Sequence, residues 1–191
     1  MSPRTQAQNR ALREETRQQI LLAAFKAFAE KGYSSASMSY IAKEAGISKG
    51  LSYHYFNSKE EILQGIIDML FAVGQGIEEA VKDMGAKEQL RYVVEMSFEY
   101  FQKNTDTVRF MTALALQPEV MHLVEEKVKF QKLHGLKQYE EIFKELGYDD
   151  PLAEAYAFGA LLDGTGIGYL AMNADYPLER MKQKILKKYQ L

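Results

Sequence analysis

The chain contains no cysteine, and this absence removes several kinds of chemistry at once. Disulfide bridges, thiolate metal sites and a cysteine nucleophile are all excluded. No apolar run approaches the roughly 20 residues that a membrane-spanning helix needs, and the polar N-terminus lacks the apolar segment of a signal peptide. These absences predict a soluble, cytoplasmic protein that does not contact the membrane.

Strand patterns and sequence repeats are also absent, and the chain has only four prolines. Apolar residues instead recur at spacings of three and four along most of the 191 residues. This periodicity is typical of amphipathic helices and predicts an all-α fold. A hydrophobic content of 47% is that of an ordinary globular protein.

The net charge of −2 hides an uneven distribution. Residues 1–60 carry nine Lys or Arg and five Asp or Glu, whereas residues 61–191 carry fifteen and twenty-one. A basic first third on an acidic remainder favours a nucleic-acid-binding head on a body that does not bind nucleic acid.

The basic third contains two short helical segments joined by a tight turn. Ser37 is expected to cap the first segment, and Gly46 to end it in a left-handed conformation. Ser48 is expected to cap the second segment, which runs from Lys49 to Phe56. A helix, a short turn with glycine and a second helix form the helix-turn-helix pattern.

The second of these helices is polar for a core helix. We expect Leu51 and Phe56 to point inward and the polar residues to face outward; these are Lys49, Ser52, Tyr53, His54 and Tyr55. Hydroxyls, an imidazole and an ammonium group suit phosphates and base edges. The alternative is a helical adaptor that binds another protein through this aromatic helix and does not bind DNA specifically.

Several short motifs in order make the match to a known family specific. They are Gly32-Tyr33, Ile41-Ala42, Ala45-Gly46-Ile47-Ser48-Lys49-Gly50, Tyr53-His54-Tyr55-Phe56 and Ser58-Lys59-Glu60-Glu61-Ile62-Leu63. Together they resemble the DNA-binding domain of the TetR family of transcriptional regulators over residues 13–63. The resemblance implies a three-helix helix-turn-helix domain followed by a helical ligand-binding and dimerisation domain.

The expected domain boundaries follow from this resemblance. Residues 1–12 are predicted to be a flexible basic arm, residues 13–59 the DNA-binding domain, and residues 60–191 the effector-binding and dimerisation domain. The arm either touches the minor groove or flanking phosphates, or is a solvated tail. A long helix from Lys59 to about Val81 is expected to link head and body.

The resemblance also implies which residues face operator DNA: Ser37, Ser48, Lys49, Gly50, Tyr53, His54, Tyr55 and Lys59. Lys49 and Lys59 supply charge to phosphates, and Gly50 allows a close approach to the backbone. The tyrosines offer hydroxyls to phosphates and ring edges to thymine methyls. Which of His54 and Tyr55 contacts bases is left open.

The helix from about Pro151 to Asn173 carries small residues at helical spacing on one face. In the resembled family the last two long helices form the dimer interface. The predicted interface residues are Ala153, Ala157, Ala160, Gly164, Gly168, Met181 and Ile185. Ordinary packing within one chain is the alternative explanation of this small-residue face.

An effector pocket in the body is predicted from apolar, aromatic and methionine side chains: Met96, Tyr100, Phe110, Met111, Leu114, Met121, Phe130, Tyr139 and Phe158. They suit a small hydrophobic ligand, and they suit a core equally well. No catalytic constellation, metal site or cofactor fingerprint is found. The sequence therefore predicts a homodimeric, ligand-responsive repressor of a palindromic operator, and not an enzyme.

Overall fold

The computed structural model describes residues 5–191, apart from the side chain of residue 73, and all regular structure in that range is helical. The α-helices are α1 (Gln6–Lys31), α2 (Met38–Glu44), α3 (Lys49–Tyr55), α4 (Lys59–Val81), α5 (Ala86–Lys103), α6 (Thr105–Ala115), α7 (Pro118–Met121), α8 (Glu125–Glu145), α9 (Pro151–Met172) and α10 (Leu178–Lys188). One turn of 3-10 helix, Asn173–Asp175, precedes α10. The all-α prediction is confirmed.

Helix α1 begins earlier than the sequence indicated. The Thr5 hydroxyl accepts from the Gln8 N–H (3.2 Å) and the Gln8 side chain accepts from the Thr5 N–H (2.9 Å), which completes a capping box. The predicted flexible arm over residues 1–12 is therefore wrong from Gln6 onward, where the chain is already helical. Residues 1–4, the rest of that arm, lie outside the described residues.

The described chain divides into two compact units. The first contains the described residues up to Met69 together with Ala113–Val124, and the second contains Leu70–Thr112 and Glu125–Leu191. Helices α4 and α6 contribute to both units. The predicted boundary between residues 59 and 60 falls in the first turn of α4 and stays a prediction.

Two helical stripes supply much of the buried surface of the first unit. On α1 they include Ile20, Leu21 and Ala24, and on α4 they are Ile62, Leu63, Ile66 and Ile67. A Cβ added to Gly65 would lie 2.9 Å from a methyl carbon of Leu21, so α1 and α4 approach closely at this point. The spacing of these stripes is what the sequence predicted.

The core of the second unit is formed by α5, α8, α9 and α10 around aromatic rings. The ring centroids of Phe143 and Phe158 lie 5.8 Å apart. Tyr189 of the C-terminal end packs on both, with centroids at 5.4 and 5.3 Å. Tilted and edge-to-face pairs of this kind are the favourable geometries of aromatic side chains, and they fix α10 against α8 and α9.

Candidate functional site

The turn between α2 and α3 is built around Gly46. Its φ of +67° lies in the left-handed region that favours glycine. The N–H of Gly46 donates to the carbonyl oxygen of Lys43 (3.0 Å), and the N–H of Ile47 donates to that of Ala42 (3.0 Å). These bonds end α2 and direct the chain into α3, as the sequence predicted.

Serine hydroxyls cap both helices of the motif. The hydroxyl of Ser37 accepts from the N–H of Tyr40 (3.2 Å), and that of Ser48 accepts from the N–H of Leu51 (3.1 Å). Each hydroxyl still carries a proton that it can donate to a phosphate oxygen. The two caps are confirmed, whereas DNA contacts by Ser37 and Ser48 stay predictions.

The inner face of α3 is set by Ser52 and Phe56, which lie four residues apart and are 0% and 1% exposed. The Ser52 hydroxyl donates to the carbonyl oxygen of Lys49 (2.7 Å), so its burial leaves no unpaired polar atom. Leu51 is 39% exposed. The expectation that Leu51 points inward and Ser52 outward is wrong, because the Ser52–Phe56 spacing sets the phase of this two-turn helix.

The α3 outer face, defined as Lys49, Gly50, Leu51, Tyr53 and His54, is exposed throughout. Tyr53 is 45% exposed. The His54 ring meets the ring of Tyr55, a half-buried residue, edge to face, with centroids 5.6 Å apart. The face therefore combines a positive charge, an imidazole, a phenol and one aliphatic side chain, which covers phosphate, base-edge and thymine-methyl chemistry.

Gly50 has no role in the contacts of its own chain. A Cβ added there would have only the Ser48 hydroxyl oxygen within reach, at 4.0 Å. A glycine in a helix lowers stability by up to about 1 kcal/mol relative to alanine. The fold therefore gains no contact from Gly50, and a close approach of DNA to this position stays a prediction.

Lys59 begins α4 and contacts the loop between α1 and α2. Its ammonium donates to the carbonyl oxygens of Tyr33 (2.7 Å) and Ser34 (3.3 Å) and lies 4.3 Å from the centroid of the Tyr33 ring. Burial lowers the pKa of Lys59. Two of the three ammonium protons are engaged, so one remains for the predicted phosphate contact.

The second unit contains a cavity of about 440 Å³ between the second half of α4, α5 and α8. Its apolar wall includes Phe71, Ile77, Val81, Val93 and Ile142. The volume lies in the range of small-molecule sites, and apolar walls with a few polar groups are typical of them.

The polar side of the cavity centres on His134. A ring nitrogen of His134 lies 3.3 Å from a carboxylate oxygen of Glu78 and 3.3 Å from the amide nitrogen of Gln138. Tyr139 also lines the cavity, and burial, with the charge of Asp163, raises the pKa of Tyr139 to about 12. The cavity thus offers both donors and acceptors to a polar ligand group.

Of the nine predicted pocket residues, only Tyr139 lines this cavity. Phe158 belongs to the core of the second unit, and Leu114 and Met121 belong to the first unit. Phe110 is buried, whereas Phe130 is 68% exposed. Met96, Tyr100 and Met111 are half-buried and outside the cavity lining. The polar residues Glu78, His134 and Gln138 line the cavity and were not among the predicted pocket residues, because no sequence pattern separates a cavity wall from a solvated helix face. The effector pocket itself stays a prediction.

Helix α9 leaves one side uncovered. The α9 outer face consists of exposed, mostly apolar residues at helical spacing: Leu152, Ala153, Tyr156, Ala157, Ala160, Gly164 and Ile167. Asp163 lies among them and is paired with Lys132 of α8 at 2.8 Å. Four of the predicted interface residues, Ala153, Ala157, Ala160 and Gly164, therefore lie together on an open face.

The other three predicted interface residues are placed differently. A Cβ on Gly168 would lie 2.5 Å from a ring carbon of Tyr176, so packing within the chain already explains this glycine. Ile185 is 2% exposed and belongs to the core, and Met181 is half-buried against it. These two α10 residues have little surface left for a second chain.

Two kinds of feature are absent from residues 5–191, the part of the chain that the structure describes. None of the helices in this range has both the length and the apolar character needed to cross a membrane. The same part of the chain contains no group of three His, Asp or Glu side chains arranged to hold a metal ion.

Comparison with known proteins gives matches to bacterial regulators. The family model described as bacterial regulatory proteins, tetR family, matches residues 20–66, from the buried half of α1 into α4. The HTH-type transcriptional regulator BetI of Pseudomonas paraeruginosa is 30% identical over 156 residues, which cover 78% of this chain and 78% of BetI.

Two other relatives extend the match over most of the chain. The HTH-type transcriptional activator FasR of Mycolicibacterium smegmatis is 28% identical over 179 residues, which cover 90% of this chain and 79% of FasR. The crystal structure of the regulator FadR from Bacillus subtilis in complex with stearoyl-CoA superposes with a TM-score of 0.73 at 26% identity, covering 89% of this chain and 95% of FadR.

Proposed function

The chain belongs to the tetR family of bacterial regulatory proteins, and on that premise we propose that it is a homodimeric repressor that a small molecule releases from a palindromic operator. It is a DNA-binding transcriptional regulator, as its relatives are. The observation that carries the finer proposal is the α3 outer face, with a glycine that the fold does not need.

In this proposal the residues of α3 divide the work of recognition. Lys49 neutralises a phosphate, and Gly50 lets the helix approach the DNA closely. Tyr53 and His54 donate to phosphates or base edges, and Leu51 contacts a thymine methyl group. The DNA phosphates are also contacted by residues at the edges of the helix-turn-helix: Ser37, Ser48, Tyr55 and Lys59.

The α9 outer face supports the proposed dimer. A second copy of the chain would cover its apolar side chains, and its alanines and glycine would let the two helices approach closely. A two-fold axis would then present two α3 helices to successive major grooves, about 34–36 Å apart. A palindromic operator mirrors this symmetry.

The effector site is the cavity between α4, α5 and α8. Helix α4 carries Lys59 at its start and Phe71, Ile77 and Val81 in the cavity wall, so a ligand that displaces α4 moves a DNA-facing residue with it. The ligand acts only through its different affinity for the operator-bound and released states. Apolar walls beside His134, Glu78 and Gln138 fit an amphipathic molecule, in line with the acyl thioester bound by FadR.

The proposal is of a regulator and not of an enzyme, and operator binding locates it with the DNA in the cytoplasm. The rival proposal, a protein-binding adaptor, makes the aromatic residues of α3 contacts for a protein. It predicts no selective or salt-sensitive binding to DNA.

The test is binding of the purified protein to the DNA upstream of its own gene, beside a scrambled duplex, across a salt series. We expect selective binding that weakens with salt. In Lys49→Ala the logarithmic salt slope should fall by about 1.8, because a dimer loses two phosphate contacts. The matched control is Lys26→Ala, which removes an exposed charge from α1 instead of from α3. Equal, weak binding to both duplexes, together with no selective site in a library of genomic fragments, would refute the proposal.

A further inference from the structure

We propose that the cavity between α4, α5 and α8 takes an amphipathic cation, an amine or quaternary ammonium group on an apolar body, with Glu78 as its counter-ion. The inference rests on the proposed function, which leaves the charge of the effector's polar end open, because an acid and an amine can both be amphipathic. All the described residues that line the cavity belong to the second unit.

Glu78 is the one carboxylate among the described residues that line this cavity. Its partner is the His134 ring, whose nitrogen lies 3.3 Å from a carboxylate oxygen, and both side chains are close to half exposed. An imidazole carries a full positive charge only when it is protonated, so Glu78 has no permanently charged partner in the described part of the chain. A ligand that enters the cavity can therefore reach a carboxylate whose charge is not matched.

The two lysines of the lining are already paired with carboxylates outside it. Lys82 forms an ion pair with Glu79, and Lys132 forms one with Asp163 at 2.8 Å. Neither of these carboxylates lines the cavity. Each pair offsets the charge of its own lysine, so an acid would gain little from the ammonium groups, whereas Glu78 would repel it. The charges of the lining thus favour a cationic head group.

A second cavity beside the first has the same excess of negative charge. Its volume is about 680 Å³, and it shares Glu78 with the first cavity. The other charged side chains in its lining are Glu141, Glu145, Lys137 and Lys144, all from α8. Three carboxylates are therefore present with two ammonium groups. The surface next to the proposed site attracts cations more than anions.

Aromatic rings and two glycines provide affinity and room for the head group. Phe71 of α4 and Tyr139 of α8 line the cavity, and the faces of aromatic rings attract cations. A Cβ added to Gly74 or Gly135, which also line it, would meet no neighbouring atom of the described chain within 4 Å. Gly74 lies one helical turn before Glu78 on the same face of α4. Open space for a bulky ammonium group therefore borders the carboxylate.

The test measures binding of two probes of equal chain length, decyltrimethylammonium and decanoate, to the purified protein by isothermal titration calorimetry. We expect the cation to bind at least about tenfold more tightly than the acid. In Glu78→Gln the cation should lose about fivefold in affinity and decanoate should gain about fivefold. The two changes have opposite signs because the substitution removes an attraction for one probe and a repulsion for the other.

Matched variants locate the effect in the cavity. Glu95→Gln removes the same charge from an exposed position of α5 outside the lining and should change neither affinity. Gly74→Leu fills open space in the cavity and should weaken both probes at least about tenfold. Ala80→Leu adds a leucine at an exposed position of α4 outside the lining and should weaken neither probe.

Several results would overturn the inference: equal affinities for the two probes, a preference for decanoate, or failure of both to bind at millimolar concentrations. So would a Glu78→Gln protein in which the two affinities stay at their wild-type values or change in the same direction, because the carboxylate would then not act as a counter-ion. The proposed repressor is judged separately, by release of the operator duplex. A cation that binds in the cavity and leaves the operator complex intact refutes ligand-responsive repression and leaves the cation site standing.

Discussion

Helices α3 and α9 each leave one side uncovered by the chain, and the two sides differ in chemistry. The α3 outer face offers an ammonium, an imidazole and a phenol, with one leucine among them. The α9 outer face is made of leucine, isoleucine, tyrosine and small residues, and Asp163 within it is already paired with Lys132. Polar groups that water satisfies are suited to phosphates and bases, whereas exposed apolar surface favours a protein partner. On the proposed function, the first face therefore lies against DNA and the other against a second copy of the chain.

The largest predicted effect tests whether the α9 outer face is the dimer interface. Ala157→Arg places a charge on a face that is exposed in one chain and, on the proposed function, buried in the dimer. An unpaired buried charge costs about 3–5 kcal/mol, so we expect monomers in sedimentation experiments and operator affinity at least 100-fold weaker. Gln102→Arg, at an exposed position of α5, should leave the dimer intact. A stable Ala157→Arg dimer with unchanged operator affinity would place the interface elsewhere.

A second prediction concerns the covered side of α9. The Tyr189 hydroxyl donates to a carboxylate oxygen of Glu154 (2.8 Å), which also pairs with Lys188 at 2.9 Å. Tyr189→Phe removes a charge-assisted hydrogen bond and should lower the free energy of unfolding by about 1–2 kcal/mol in urea titrations. Operator affinity should not change, because the pair lies on the covered side of α9. A Tyr189→Phe protein as stable as the wild type would contradict this role.

The same pair predicts a pH dependence. Hydrogen bonding from Lys188, with a smaller contribution from Tyr189, lowers the pKa of Glu154. The ionised Glu154 therefore stabilises the folded state fully above the ordinary carboxyl pKa of about 4.3. This stabilisation is lost as the pH falls through the lowered pKa that Glu154 has in the folded state. The stability difference between wild type and Tyr189→Phe should shrink over that acid range and stay constant from neutral pH down to about 5.

The smallest predicted effect tests whether Leu51 of the α3 outer face contacts a thymine methyl group. If Leu51 contacts a thymine methyl, replacing that thymine by deoxyuridine removes a contact of about 0.8 kcal/mol, or about fourfold in affinity. Leu51→Ala should lose this amount at each of the two half-sites of the natural operator, and show no further loss on an operator in which deoxyuridine replaces the thymine in both half-sites. Independent, additive losses would show that Leu51 does not contact the methyl group.

Local chemistry explains what could be predicted about the helix-turn-helix. Ser37, Ser48 and Gly46 act on backbone groups a few residues away, so their residue types determine their roles. The start of α1 was also predictable, because Thr5-x-x-Gln8 has the spacing of a capping box. The orientation of Leu51 was harder, because a two-turn helix has too few apolar positions to fix its phase. The Ser52–Phe56 spacing was the available signal.

The cavity could not be located from sequence for a different physical reason. Phe158 and Phe143 fill the space between helices, whereas Phe71 and Tyr139 border an empty volume. All four are aromatic residues in apolar helix stripes. Only the way in which α4, α5 and α8 are arranged decides which of them border the cavity and which fill the core. Ile185 is a similar case. The apolar stripe on α10 did not indicate whether its own chain or a second chain would cover this residue, and in the structure its own chain buries it.

The most direct test of the account is Gly50→Ala, measured for stability and for operator affinity in the same preparation. The added Cβ meets open space in the chain, and alanine favours the helix by up to about 1 kcal/mol. We predict an unchanged or higher unfolding midpoint, together with operator affinity at least tenfold weaker, because the methyl group occupies the space that the DNA backbone needs. A Gly50→Ala protein that binds its operator as tightly as the wild type would contradict the claim that α3 lies against DNA.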